Sequence, residues 1–328
     1  MEVFIFPYEI KISKAMSRRT PSGNLEGLLI KVKDGDKEGY SCFQVLPGVD
    51  KSRLRDHIEL ARKGQPAVEF KLSLIYAEQD AQSRHNHHDD MAGAFQIENH
   101  FLISDVSQVS SQRLQAARTD NFKTLKIKMG RDIEAETRIL VDHVQDFSGF
   151  NLRLDFNNFF SPQEFSQWWK TSAQSFAEYV EFCEDPCTYE DNSWAELASS
   201  NNIKLAVDCY EYPERNSFAA AEYLVLKPAR MNVVQWLKKL DQPDRHKFVV
   251  THYMDHPVGV AHAAAVAMKL KFFIRERLVV CGLLPLAETN LEDWELECKG
   301  PHILFAHDEG IGFSEKLHQL NWELLWQG

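Results

Sequence analysis

The chain has 328 residues, 44% hydrophobic and 26% charged, enough to bury a sizeable core and to build a barrel with an appended module. A formal charge of -11, with no run of Lys and Arg long enough to track phosphates, argues against a nucleic-acid partner and for a small-molecule one. The six cysteines are scattered without a disulfide framework; Cys183, Cys209 and Cys281 fall in predicted strands, where a small apolar side chain packs well.

The N-terminal run MEVFIFPYEIKI carries Glu2 where a leader would be basic, and VGVAHAAAVAM is interrupted by His262 and too short to span a bilayer. The expectation is a soluble cytoplasmic protein with no membrane partner. From Val3 to Val49 the runs VFIFPYEIKI, GLLIKVK and GYSCFQVL alternate like strands between turn clusters, which predicts a three-stranded antiparallel meander. Residues Ser52 to Ala81 turn helical, so residues 1–97 read as a separate α+β lobe.

From Glu98 the rhythm becomes strand, loop, helix: ENHFLIS, TLKIKMG, NLRLDFN, VEFCEDP, KLAVDCY, EYLVLKP, KFVVTHY and RLVVCGL, with amphipathic stretches such as DIEAETRILVDHVQDF and NVVQWLKKLDQ between them. Eight such strands predict a parallel barrel over residues 98–286. A doubly wound sheet has the same rhythm, but it gathers ligands near one switch point, whereas here consecutive strand ends carry polar groups that need closure to meet. The segment 287–328, with Trp294, Trp322 and Trp326, holds no further βα unit and is expected to pack back on the lobe.

Lys128, Asp155, Glu184, Asp208 and Lys227 each end a short apolar run, about 20 to 30 residues apart, the length of one βα unit. Strand parity puts Lys126 on the face of Lys128, and Arg153 and Asn157 on the face of Asp155. Three carboxylates, Asp155, Glu184 and Asp208, without His or Cys among them, suit Mg²⁺, or else Mn²⁺, and leave positions open for a substrate carboxylate. Such an ion stabilises the enediolate formed when the neighbouring carbon loses its proton. A lysine beside a metal and a second ammonium has its charged form disfavoured and becomes available as the base. The alternative for each carboxylate alone is a helix N-cap, Asp185-Pro186 after Glu184 being a good helix-start pair; for Lys126 it is a salt bridge.

These residues resemble the enolase superfamily in the K-x-K of Lys126 and Lys128, the D-x-N of Asp155 and Asn157, the E-[DE]-P of Glu184 to Pro186, then Asp208 and Lys227. Within it the chain looks like the o-succinylbenzoate synthase branch of menaquinone biosynthesis, over nearly its whole length and including the FQVLPG of residues 43 to 48. The resemblance implies an α+β capping domain on a modified (β/α)7β barrel, a modified TIM barrel. It implies dehydration of 2-succinyl-6-hydroxy-2,4-cyclohexadiene-1-carboxylate to o-succinylbenzoate, Lys128 removing the proton beside the carboxylate and then protonating the departing hydroxyl, and Lys227 stabilising the enediolate as a cation. Arg153 and Asn157 are then expected to order the ring substituents or the metal's surroundings, the alternative for Arg153 being a bridge to a carboxylate.

Two segments depart from that pattern. Strand seven ends in THYMDHPVG in place of a serine-rich S-S-S-x-E-S-x-x-G, keeping Gly259 and an acid, Asp255, and CFQ replaces the lobe's G-E-I. Both bear on substrate identity. His252 raises the reading of a racemase or acid-sugar dehydratase with a His and a Lys as bases, but Lys227 occupies the place of the Asp that would support it, so His252 reads as a pocket residue. Cys281-Gly282-Leu283-Leu284 lacks the D-x-D of a dipeptide epimerase, with Gly282 left as a substrate-side position; an N-acylamino acid racemase keeps both lysines. The cluster His85, His87, His88, Asp89 and Asp90 reads as a solvated loop before it reads as a metal site. A non-catalytic binding protein on the same barrel would be expected to have lost a lysine or carboxylate.

Overall fold

The computed structural model describes residues 1–12, 23–92, 96–285, 289–291, 294, 296–305 and 308–327. Strands β1 (Glu2–Ile12), β2 (Gly23–Asp34) and β3 (Lys37–Gln44) form an antiparallel meander. Its alternation puts Val3, Ile5, Leu28, Ile30, Val32 and Phe43 on one face, as a period of two requires. Helices α1 (Leu54–Arg62) and α2 (Val68–His85) cover that face with Leu54, Ala61, Phe70, Leu74 and Ala77.

The barrel follows as β4 (Phe101–Ile103), α3 (Ser111–Thr119), β5 (Thr124–Lys128), α4 (Ile133–Asp142), β6 (Asn151–Asp155), α5 (Pro162–Thr171), β7 (Val180–Glu184), α6 (Asp191–Asn201), β8 (Leu205–Asp208), β9 (Tyr223–Leu226), α7 (Val233–Leu237), β10 (Lys247–Val250) and α8 (Pro257–Ile274). The seven strands pair in parallel and in sequence order, so the sheet has no topological switch point and curls instead. Parity separates two layers. Leu125, Leu152, Leu154, Cys183, Leu205, Val207, Leu224 and Val250 pack outward against the helices, whereas Phe182, Ala206, Tyr223, Val225 and Val249 fill the barrel interior below the mouth.

The expected eighth strand, RLVVCGL, is not a ladder strand. Leu278 and Gly282 bridge to Phe248 and Thr251 on one side and Cys281 bridges to Asn99 on the other, so residues 278–282 close the barrel through single bridges. The carbonyl of Val280 accepts from Arg153 Nη1 at 2.6 Å, which takes one group away from sheet pairing. The stretch NVVQWLKKLDQ is helical only over Val233–Leu237, and a 3-10 turn, Cys209–Glu211, is the helical structure between β8 and β9. Helix α8 runs on past the apolar run read from sequence, long and apolar enough to cross a membrane by length and composition, yet 67% of that window is buried, as in the core helix of a barrel.

After the barrel, β11 (Glu297–Lys299) and β12 (His302–Leu304) form a small hairpin, and α9 (Ser314–His318) leads to β13 (Glu323–Gln327). Strand β13 adds to β1, giving the cap sheet the order β13-β1-β2-β3. The expected boundary at Leu286 lies outside the described residues. Cap and barrel meet along α8: His262 Nε2 donates to the Tyr40 carbonyl at 2.9 Å, and a Cβ at Gly259 would stand 2.5 Å from Cys42 Sγ and 2.7 Å from Asp255 Cβ. Gly259 therefore permits the cap to approach.

Candidate active site

The strand ends of β5 to β9 and the loops after β9 and β10 surround one cavity of about 120 Å³. Lys126 and Lys128 from β5, Asp155 from the end of β6 with Asn157 two residues beyond it, Glu184 from β7 and Asp208 from β8 line it, with Lys227 one residue past β9. Register brings them level: Lys128 pairs with Asp155 and Asp155 with Glu184. The inward parity that fills the lower barrel with Phe182 and Ala206 puts Glu184 and Asp208 two residues higher on the same strands.

The three ammonium groups are held differently. Lys126 Nζ donates to both oxygens of Glu184 at 2.7 Å and stands 3.0 Å from Asp155 Oδ2. Burial works against its charge, but Asp155 and Glu184 outweigh it and hold the ammonium above the ordinary lysine range. Lys227 is ion-paired to Asp208 and lies 4.6 Å from the centroid of the Tyr210 ring and 5.6 Å from that of Tyr253; although burial opposes it, Asp208 keeps its pKa raised. Lys128 has, among the described residues, one distant ion-pair partner, Asp155 Oδ2 at 3.7 Å. Burial, then the charges of Lys126 and Lys227, pull its pKa below the ordinary value against Asp155.

Among the carboxylates, Asp155 is kept low by Lys126 and Lys128 despite its burial, and Asn157 fixes it by donating Nδ2 to Oδ1 at 2.8 Å. Burial pushes Glu184 up, with Asp155 and Asp208 adding to it against Lys126. Asp185 is a lining residue that the sequence reading passed over: no helix starts after it, α6 being capped by Glu190, and its side chain faces the cavity. The carboxylates of Glu184, Asp185 and Asp208 offer oxygens within 4.8 Å of one another. Asp185 Oδ1 accepts the backbone N–H of Asp208 at 3.1 Å, and burial and the neighbouring acids push its pKa well up. Asp208 Oδ1 is buried with no hydrogen-bond partner among the described residues. An all-oxygen donor set with an unpartnered buried oxygen fits a hard divalent cation.

His252 lines the cavity and is neutral: burial above all, then Lys227 and Lys128, lower its pKa to about 4. Its Nδ1 accepts the N–H of Asp255 at 3.2 Å. Gly282 lines the cavity beside it, its carbonyl accepting the His252 N–H at 3.3 Å, and a Cβ there would sit 2.5 Å from His100 Cε1. His100, Tyr210 and Tyr253 are further lining residues without a sequence signal; they sit just before β4, in the 3-10 turn after β8 and in the loop after β10, where strand parity carries no information.

Arg153 is buried but does not line the cavity. Its guanidinium is taken by Glu181 at 2.7 Å and Val280 O at 2.6 Å and lies over Phe182, so it makes the bridge to a carboxylate that was its alternative and holds the barrel seam. Gly259 lies at the cap seam, also outside the lining. His85, His87 and Asp89 belong to a separate surface groove with Glu309 and His318. His87 Nδ1 is 2.5 Å from Glu309 and His88 Nε2 is 3.6 Å from Asp90.

The model of the enolase C-terminal domain-like family matches residues 109–317. The o-succinylbenzoate synthase of Bdellovibrio bacteriovorus is 30% identical over 322 residues, covering 96% of each chain. Among solved structures, a mandelate racemase/muconate lactonizing protein from Herpetosiphon aurantiacus superposes with a TM-score of 0.73 at 15% identity, covering 94% of this chain and 96% of that one. MenC from Desulfotalea psychrophila superposes with 0.65 at 16% identity, covering 92% and 99%.

Proposed function

The chain belongs to the enolase C-terminal domain-like family, and we propose that within it the protein is an o-succinylbenzoate synthase, a hydro-lyase that aromatises 2-succinyl-6-hydroxy-2,4-cyclohexadiene-1-carboxylate. The observation that carries this reading is the unequal treatment of two lysines in one cavity. Lys227 is locked as a cation by Asp208 and two tyrosine rings, whereas Lys128 is loosely partnered and pulled toward the neutral amine.

Neutral Lys128 Nζ takes the proton from the carbon beside the substrate carboxylate, and the electron pair moves into an enediolate. Lys227 lies where its fixed positive charge offsets the negative charge that develops there. The ammonium now on Lys128 then gives its proton to the departing hydroxyl, water leaves, and the ring becomes aromatic. Asp155, Glu184 and Asp208 would hold a divalent ion, Mg²⁺ or Mn²⁺, which supplies charge neutralisation at the substrate carboxylate. Asn157 keeps Asp155 aimed, and Asp185 ties the end of β8 to that of β7.

The name of the relative that is 30% identical over 96% of this chain supports the substrate assignment. A second reading, N-acylamino acid racemisation, is favoured by one observation: both lysines line the same cavity, as a two-base exchange requires. Incubation with the cyclohexadiene and Mg²⁺ separates the two. Aromatisation supports the first, while racemisation of an N-acylamino acid without aromatisation overturns it.

A further inference from the structure

The cap reaches the cavity through one short loop. Leu46 and Val49 line the cavity on the cap side and pack with Tyr253, Met254 and Tyr210 in an apolar cluster separate from the barrel core. The loop is tied into a turn by Val49 N and Asp50 N donating to Leu46 O at 3.1 and 2.9 Å. Asp50 Oδ2 closes it further by accepting the N–H of Leu46 at 2.6 Å.

The same Asp50 oxygen is ion-paired to Arg230, three residues beyond Lys227, whose side chain is only 6% exposed. The Arg230 guanidinium also lies 4.0 Å from the centroid of the Tyr253 ring, and Gln44 Nε2 donates to the carbonyl of Met254 at 2.9 Å. One carboxylate thus folds the cap loop and joins it to the barrel loop that follows the fixed lysine, and its guanidinium partner abuts the aromatic wall after β10.

We propose that the Asp50–Arg230 pair is a latch that sets the height of Leu46 and Val49 over the cavity, making both charged residues positioning residues for the apolar part of the substrate. The substrate in this statement rests on the functional reading above; the latch itself does not. A buried guanidinium deprived of its carboxylate is costly, so loss of either partner lets the loop move away, and with it the two apolar side chains that exclude water from the bound ring.

Steady-state kinetics on the cyclohexadiene and hydrogen exchange of the amides of residues 45–50 test this in Asp50→Asn, Arg230→Gln and Arg230→Lys, alone and with Leu46→Ala/Val49→Ala. The latch predicts that Asp50→Asn and Arg230→Gln raise KM by about 5- to 30-fold with kcat within about threefold, the signature of lost binding. It predicts faster exchange of the loop amides, and an Arg230→Lys variant between wild type and Arg230→Gln. In the double-alanine background Asp50→Asn should add less than about twofold to KM, since neighbours acting through one element are not additive. A folded Asp50→Asn protein with unchanged KM and unchanged loop exchange overturns the proposal, as does full additivity with the roof truncation. If the wild type fails to aromatise the cyclohexadiene, the reaction reading fails while loop exchange still decides the latch: faster exchange in Asp50→Asn upholds it, and unchanged exchange overturns it.

Discussion

The ammonium of Lys126 donates to both carboxylate oxygens of Glu184, 2.7 Å from each, across an intervening barrel strand. With Asp155 Oδ2 a further 3.0 Å contact, a buried ammonium stands between two of the three proposed metal ligands. Glu184→Gln should therefore destabilise the metal-free protein by about 1–3 kcal/mol, below the ~3–5 kcal/mol typical of orphaning a buried charge, because Asp155 remains. Urea unfolding measures this.

The same variant addresses the ligand set. Mn²⁺ should raise the Tm of the wild type through binding to the folded state, and Asp155→Asn and Glu184→Gln should remove most of that rise. Asp185→Asn should keep it, because Asp185 is held by the N–H of Asp208 and its charged form is disfavoured. A rise lost in Asp185→Asn and intact in Asp155→Asn would instead assign the ion to the cluster of Glu184, Asp185 and Asp208.

His252 is neutral, and its Nδ1 is occupied by the N–H of Asp255, which leaves it poorly placed to take a substrate proton. His252→Gln should raise KM with kcat within about tenfold, whereas loss of a general base costs ~10² to 10⁴ in rate. A kcat collapse at unchanged KM would favour the His-and-Lys racemase over the synthase.

Stability should fall in acid through two buried histidines at the cap seam. Burial lowers His256 to about 3 and His262 to about 4; both stay neutral in the fold while the unfolded chain takes up protons below about 6.5. The unfolded state then binds more protons, so stability present above pH 6.5 is lost as pH falls toward 4. Each contributes a loss of about 2 kcal/mol between pH 6.5 and 5. Asp255, raised to about 6 by burial, works the other way, so the histidine contribution is read as the difference between the wild type and a variant that lacks one of the two. Urea unfolding at the two pH values should show this, and His262→Gln should reduce the difference by about 2 kcal/mol; an unchanged difference contradicts the assignment.

What the sequence made legible was whatever parity and spacing govern. Alternation along LRLD and VEFCE put Asp155 and Glu184 at the mouth and Leu154 and Cys183 against the helices, and the βα rhythm implied a sheet paired in sequence order. Parity gave the direction of Arg153 but not its depth: it lies two residues below Asp155, at the level of Phe182, where it makes the alternative bridge to a carboxylate, that of Glu181, and reaches the Val280 carbonyl. Asp185 was hidden behind its helix-starting look beside Pro186, and Tyr210 and Tyr253 sit in loops whose side-chain directions follow from tertiary packing alone. The pairing of β13 with β1, across more than 300 residues, leaves no local pattern to read.

The most direct measurement is aromatisation of the cyclohexadiene by Lys128→Ala and Lys227→Ala, each loaded with Mg²⁺ and checked by calorimetry for metal binding. If Lys128 is the acid and base, its loss should lower kcat about a thousandfold or more. Lys227→Ala should slow turnover and exchange of the substrate's α-proton together, through poorer stabilisation of the enediolate that both share, whereas Lys128→Ala should stop the exchange altogether. Dehydration retained by metal-loaded Lys128→Ala would contradict the account.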